Sequence, residues 1–258
     1  MISEYLKHTR SVAELDELFD RDKQLAAIAA TTLFQHEISV AVSNISEIQQ
    51  VAQARVLADC QVASATLMSD AEVKAAQLLA DAQKAKLRAL MQEFDERSAR
   101  YPSPQKIDDI RVETSNKLSQ AAQDAITEIE KTAQKAVQEL KTQSDQAIEN
   151  IQTLSQDMLE SVSENLEIAK TRLSQEQETD RTPEDVAENA LEAAEKVIDE
   201  AKRASSALQH LTEQSIAELK LITDDAVNTI KKSTHKARER LNSMLSKALA
   251  LLDEDIQV

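Results

Sequence analysis

Three aspartates recur at an interval of eleven residues, Asp59, Asp70 and Asp81, in a chain that also carries His8, His36, His210, His235 and Cys60. Metal sites and nucleophiles are built from side chains of these kinds. On a helix, an eleven-residue interval sets each aspartate ~16 Å from the next, so the three cannot share one cation. Their regularity reads instead as a solvated or inter-helix charged row. None of the histidines has a glutamate three residues before it, the spacing that helical-bundle metal sites use. No His-Glu-x-x-His, paired cysteines or EF-hand loop is present. Cys60 is the only cysteine, so no disulfide can close within the chain, and its column continues as Ala71 and Ala82, which reads as small-residue packing. Lys231, Lys232, Lys236, Arg238 and Arg240 form a basic run in a chain of net charge −16. That balance argues against nucleic acid, where a basic footprint is expected, and the run reads as a docking surface for acidic rows of neighbouring helices or as a solvated face. No catalytic residue, metal, cofactor or small-molecule substrate is indicated, and the chain is not expected to be an enzyme.

Composition sets the elements that position these groups. The chain has 258 residues, no glycine, three prolines, two tyrosines, three phenylalanines and no tryptophan. Tight turns and left-handed caps depend on glycine, so this chain has few ways to reverse direction. Glycine-rich phosphate loops are excluded for the same reason. Ala, Leu, Glu, Gln and Lys, which favour helix, dominate. So few aromatics cannot fill a thick globular core, and apolar surface is expected to be buried along narrow seams. The fold class is all-α.

Start signals divide the chain. Ser11–Glu14 has the capping-box order, with serine at the N-cap and glutamate three residues on. Ser103 precedes Pro104, and Thr182 precedes Pro183, Glu184 and Asp185. Proline at the first helical position gives up an N–H that the helix does not use, and acids there meet the positive end of the helix dipole. These signals predict an N-terminal segment or short helix over 1–21 and a long helix over 22–100. A break at 101–104, a second long helix over 104–176, a break at 177–182 and a third long helix over 183–258 follow. Each long helix is about 75 residues, or ~110 Å. Matched lengths and short breaks favour three helices folded back as an antiparallel bundle, with an end-to-end rod as the alternative.

The interval of eleven recurs well beyond the aspartates. Eleven residues at ~100° each overshoot three turns by about 20°, so such a seam asks for straight or slightly right-handed packing, whereas heptads ask for a left-handed supercoil. In the second segment Ile126, Val137 and Ile148 follow this interval, as do Ile129, Leu140 and Ile151. In the third, Val197, Leu208, Leu219, Ile230, Leu241 and Leu252 form a central row, six deep, flanked by Ala193, Ala204, Ser215, Ala226, Ala237 and Ala248. These residues are assigned to a seam within the chain.

The first segment differs in carrying two apolar stripes. Val51, Ala54 and Ala58 cluster on one side, Ala52, Val56 and Cys60 on nearly the other, and the row Leu57, Met68, Leu79, Leu90 lies apart from both. Two seams need two sets of neighbours. The region 51–91 is therefore expected to meet its own chain on one side and another copy on the other, unless a single three-helix bundle satisfies both. The residues assigned to self-association are Val51, Ala54, Val56, Leu57, Ala58, Val62, Ala65, Leu67, Met68, Val73, Leu78, Leu79 and Leu90.

With these rows the chain resembles the hendecad coiled coils as a class, a pattern similar to that in the peripheral stalk of rotary ATP synthases, straight surface stalks and desiccation-linked amphipathic proteins. The resemblance implies geometry shared by unrelated proteins. The expected function is a structural coiled coil, cytoskeleton-like, that self-assembles into a filament, tube or bundle. The alternatives are an amphipathic coat or scaffold on a lipid or polymer surface, or a stalk or tether in a larger complex. The expected partner is another copy of the chain. A membrane is not expected, because no apolar run approaches ~18 residues, and a charged N-terminus without an apolar core lacks the form of a Sec-type signal. The cytoplasm is the expected compartment, with non-classical export left open.

Overall fold

The computed structural model describes the backbone of residues 12–101, 103–177 and 184–254. Four α-helices make up the described chain: α1 Val12–Gln83, α2 Leu87–Arg100, α3 Pro104–Gln177 and α4 Glu184–Glu254. Pro104 opens α3, and the Ser103 carbonyl accepts from the N–H groups of Lys106 and Ile107 at 3.0 and 2.9 Å. Ser11, Thr182 and Pro183 lie outside the described residues, so two of the expected caps do too. The boundary expected after residue 21 is absent, because α1 begins at Val12 and continues through Asp20–Asp22. Aspartate lowers helix propensity by only a few tenths of a kcal/mol, and neither proline nor glycine lies nearby to break the helix.

The chain divides into two compact units, residues 1–58 with 150–215 and residues 59–149 with 216–258. In the first unit, Ile45 of α1, Val162 and Ala169 of α3, and Val197, Ala201 and Ala204 of α4 form one buried cluster. Its polar layer pairs the hydroxyls of Thr212 and Ser155 at 2.9 Å. Thr212 also donates to the Leu208 carbonyl at 2.8 Å. A hydroxyl has one proton to give, so the serine supplies the proton of the shared bond.

In the second unit the pairings fix direction. Between α1–α2 and α3, Asp70 meets Gln143, Lys74 meets Glu139, and Arg97 meets Glu113. Between α3 and α4, Ser144 meets Thr223, Glu130 meets Arg238, and Arg111 meets Asp253. As one number rises the other falls, so neighbouring helices are antiparallel. The unit is an antiparallel three-helix bundle.

The eleven-residue rows supply the cores. In the second unit Ile126, Ile129 and Leu140 of α3 and Leu219, Ile230 and Leu241 of α4 are buried. In the first, Ile151 of α3 and Val197 and Leu208 of α4 are buried. Val137 and Ile148 are half-buried. They lie one step from the centre of the α3 stripe and border the seam. Ala and Ser beside the α4 row (Ala226, Ala237, Ser215) are buried as well. Such small side chains let helix axes approach toward the short end of the usual 8–10 Å.

The long helix expected over 22–100 is two helices. α1 ends at Gln83, and α2 starts at Leu87 without a side-chain cap. The Lys84 N–H is shared between the carbonyls of Ala80 and Asp81, at 3.1 and 3.2 Å. No proline or glycine causes this break; a change of phase does. Leu67 and Leu78 are buried at the eleven-residue interval, and the next position in their row is Ala89, which is exposed. Leu87 and Phe94 are buried in its place. On an uninterrupted helix of three turns per eleven residues, Leu87 would point ~160° away from Leu78. The interruption turns α2 so that both large side chains enter the core, and each contributes roughly 1.5–3 kcal/mol on burial.

A clasp of charges holds α2 on α3. Arg97 Nη2 donates to Glu113 Oε2 at 2.9 Å, and Lys117 Nζ lies 2.7 Å from Glu113 Oε1. The bonds from Arg97 and then Lys117 draw the Glu113 carboxyl down from 4.5 to about 2. A carboxyl lowered on folding takes up protons more readily in the unfolded chain. Its contribution is therefore present above the ordinary value and is lost as pH falls from 4.5 to about 2. These groups face water, which screens the effect. Glu113→Gln is expected to flatten the loss of stability across that window, read as urea midpoints at neutral pH and near about pH 3. Parallel acid limbs in the two proteins would mean that the clasp contributes nothing.

Candidate interaction surface

Among the described residues, no group of three or more His, Cys, Asp or Glu is placed to hold a metal ion. His36, His210 and His235 are exposed and well separated in sequence, and His8 lies outside the described residues. Cys60 is buried, in the small-residue column with buried Ala71 and Ala82. What α1 does present is a second apolar face.

In the second unit, α1 turns Leu67, Leu78, Cys60, Ala71 and Ala82 inward. The row Val62–Val73 lies ~130° around the helix from Leu67–Leu78 at three turns per eleven residues, and its members are 66% and 53% exposed. Ala65 and Ala76 are exposed beside them. Acids rim this stripe. Asp59 and Asp81 are exposed on one side and Glu72 on the other. Asp70 is half-buried and accepts from Gln143 Nε2 at 3.1 Å. The segment Asp59–Gln83 holds four acids and one base, and that base, Lys74, pairs with Glu139. In the first unit, Val51, Ala54, Leu57 and Ala58 of α1 are exposed.

The set assigned to self-association therefore separates. Val56, Leu67 and Leu78 are buried and belong to the seam within the chain. Leu67 and Leu78 are larger than the valines of the outer row, and burying them removes more apolar area from water. Val56, no larger than those valines, precedes them in the same eleven-residue row. Met68, Leu79 and Leu90 are half-buried. On α1 the row of Met68 and Leu79 lies ~130° from the valines in the other sense and borders the bundle, while Leu90 belongs to the re-phased α2. Val62, Ala65 and Val73 remain accessible in the second unit, and Val51, Ala54, Leu57 and Ala58 in the first. Sequence reasoning left Ala76 out of the assigned set, although its alignment with Ala54 and Ala65 was the available signal.

The basic run lies on the opposite terminal helix of the second unit. Lys231, Lys232, Lys236, Arg238 and Arg240 of α4 are all exposed. Arg238 Nη1 bonds Glu130 Oε1 at 3.0 Å, and His235 Nε2 lies 3.2 Å from Glu239 Oε1.

No protein-family model matches the chain. No curated protein is similar to it either. Among solved structures the chain is similar to a computationally designed three-helix bundle. The identity is 18%, the match covers 94% of this chain and 93% of that one, and the TM-score is 0.44. Among the described residues, no helix is long and apolar enough to cross a membrane.

Proposed function

We propose that this chain is a structural helical protein that associates with copies of itself into filaments, tubes or bundles, using the outer face of α1. One observation carries the reading: Val62 and Val73 stand 66% and 53% exposed on a helix whose inner face is fully occupied by its own bundle. A lone exposed valine means little, but these two continue a row of valines and alanines at a fixed interval, and a helix with that repeat is suited to meet another. The stripe is narrow and Ala-rich, so each contact is weak, at ~0.8 kcal/mol less per missing CH₂ than Leu would give. Strength would come from repetition along a polymer.

The test is the double substitution Val62→Glu with Val73→Glu in the full chain. Both positions face water, so far-UV circular dichroism is expected to stay unchanged. Sedimentation velocity and negative-stain electron microscopy are expected to show large assemblies in the parent and none in the variant. Assemblies that persist in the variant would remove the α1 face from the account. A parent that stays monomeric at every concentration would end the proposal.

A further inference from the structure

Charge decides which surface can meet the α1 face. Both rims of that face are acidic in the second unit, with Asp59 and Asp81 on one side and Glu72 on the other, all exposed. A pair of α1 faces, parallel or antiparallel, would set acid against acid. α4 offers the reverse. Its stretch Lys231–Lys247 carries six bases and one acid, and that acid, Glu239, lies beside His235. Lys231, Lys232, Lys236, Arg240 and Lys247 are exposed. Lys236 and Lys247 share the eleven-residue interval of the row Asp59, Asp70, Asp81, ~16 Å along a helix. In that row Asp59 and Asp81 are exposed, while Asp70 is held by Gln143. Between the basic side chains lie Asn228, Glu239 and Ser243, and the lysine stems can cover apolar surface while their ammonium groups remain in water.

We infer that the outer face of α1 in one copy docks on the basic stretch Lys231–Lys247 of α4 in the next, both within the second unit of their chains. This rests on the self-association proposed above and names its second surface. The contact joins two different faces, so it is heterologous, and repetition yields a ring or an open filament, not a closed dimer. Because the pairs sit at exposed positions, association depends on salt.

The experiment uses the full chain and two charge-reversed forms. One carries Asp59→Lys, Glu72→Lys and Asp81→Lys; the other carries Lys231→Glu, Lys236→Glu and Lys247→Glu. All six sites are exposed, and circular dichroism verifies that each form folds. Raising NaCl from about 0.05 to about 0.5 M is expected to weaken parent association ~10-fold or more. Each reversed form alone is expected to stay monomeric, since its α1 and α4 faces then carry the same sign. Mixing them restores opposite signs at every contact, and light scattering is expected to recover assemblies in which the two forms alternate. If both reversed forms assemble like the parent while Val62→Glu with Val73→Glu does not, the α4 surface is wrong and association through α1 stands. If the mixture stays monomeric, the inferred pairing is likewise overturned. A parent that never associates at low salt removes both proposals together.

Discussion

Leu219→Ala is expected to lower the free energy of unfolding by about 3 kcal/mol, within the 2–5 kcal/mol usual for truncating a fully buried leucine. Leu219 is 0% exposed and sits in the central α4 row with Ile230 and Leu241. The loss has two parts, the transfer free energy of the missing carbons and the cavity they leave. The cavity term is expected to be substantial here, because small residues such as Ser215 and Ala226 already flank the row and have no side chain to swing into the space. Leu221→Ala, two residues on, is the control. Leu221 is 65% exposed, and its truncation is expected to change stability by less than about 0.5 kcal/mol. Urea unfolding followed by circular dichroism separates the two. Equal midpoints would mean that the row of Leu219, Ile230 and Leu241 is not the core of the second unit's bundle.

Phe94→Ala is expected to cost about 3–4 kcal/mol, with a different spatial signature. Phe94 and Leu87 are the large buried side chains of α2, a helix of 14 residues that would be marginal in isolation. Their burial is the gain that offsets interrupting α1 after Gln83. With the phenyl ring gone, the clasp through Glu113 is exposed to water and too weak to hold the helix alone. Hydrogen exchange is expected to accelerate across Leu87–Arg100 while the centre of α4 retains protection, since local opening draws on the least stable segment. Exchange that rises uniformly through the bundle would show that α2 does not open separately.

The two predictions differ in how far each was legible in the residues. The α4 row from Val197 to Leu252 could be read directly, because an interval of eleven repeated five times leaves one way to bury a continuous stripe. The opening of α3 at Pro104 was equally plain, since proline at the first helical position is a local signal. The break before α2 was not. It has no proline or glycine, and its trace in the sequence is that alanine stands at position 89, where the row of Leu67 and Leu78 calls for a large side chain.

By itself, the sequence determined that the chain is helical nearly throughout and that its seams run at eleven. Propensity, capping and periodicity act within a few turns and need no knowledge of neighbours. Only the tertiary structure decided which of the two α1 stripes goes inside. Both were apolar, and Val56, Leu67 and Leu78 were grouped with Val62 and Val73 as one interaction set. The bundle buried the former and left the latter in water. The choice depends on apolar area gained against the particular surface that α3 and α4 present. Leu67 and Leu78 gain more than the outer valines, and Val56 goes inside with the row they share. The same competition set the break at 84–86, where rotating Leu87 and Phe94 into the core outweighed the lost continuity of one helix. Both outcomes compare burial against a partner surface, a quantity that exists only once the helices are side by side.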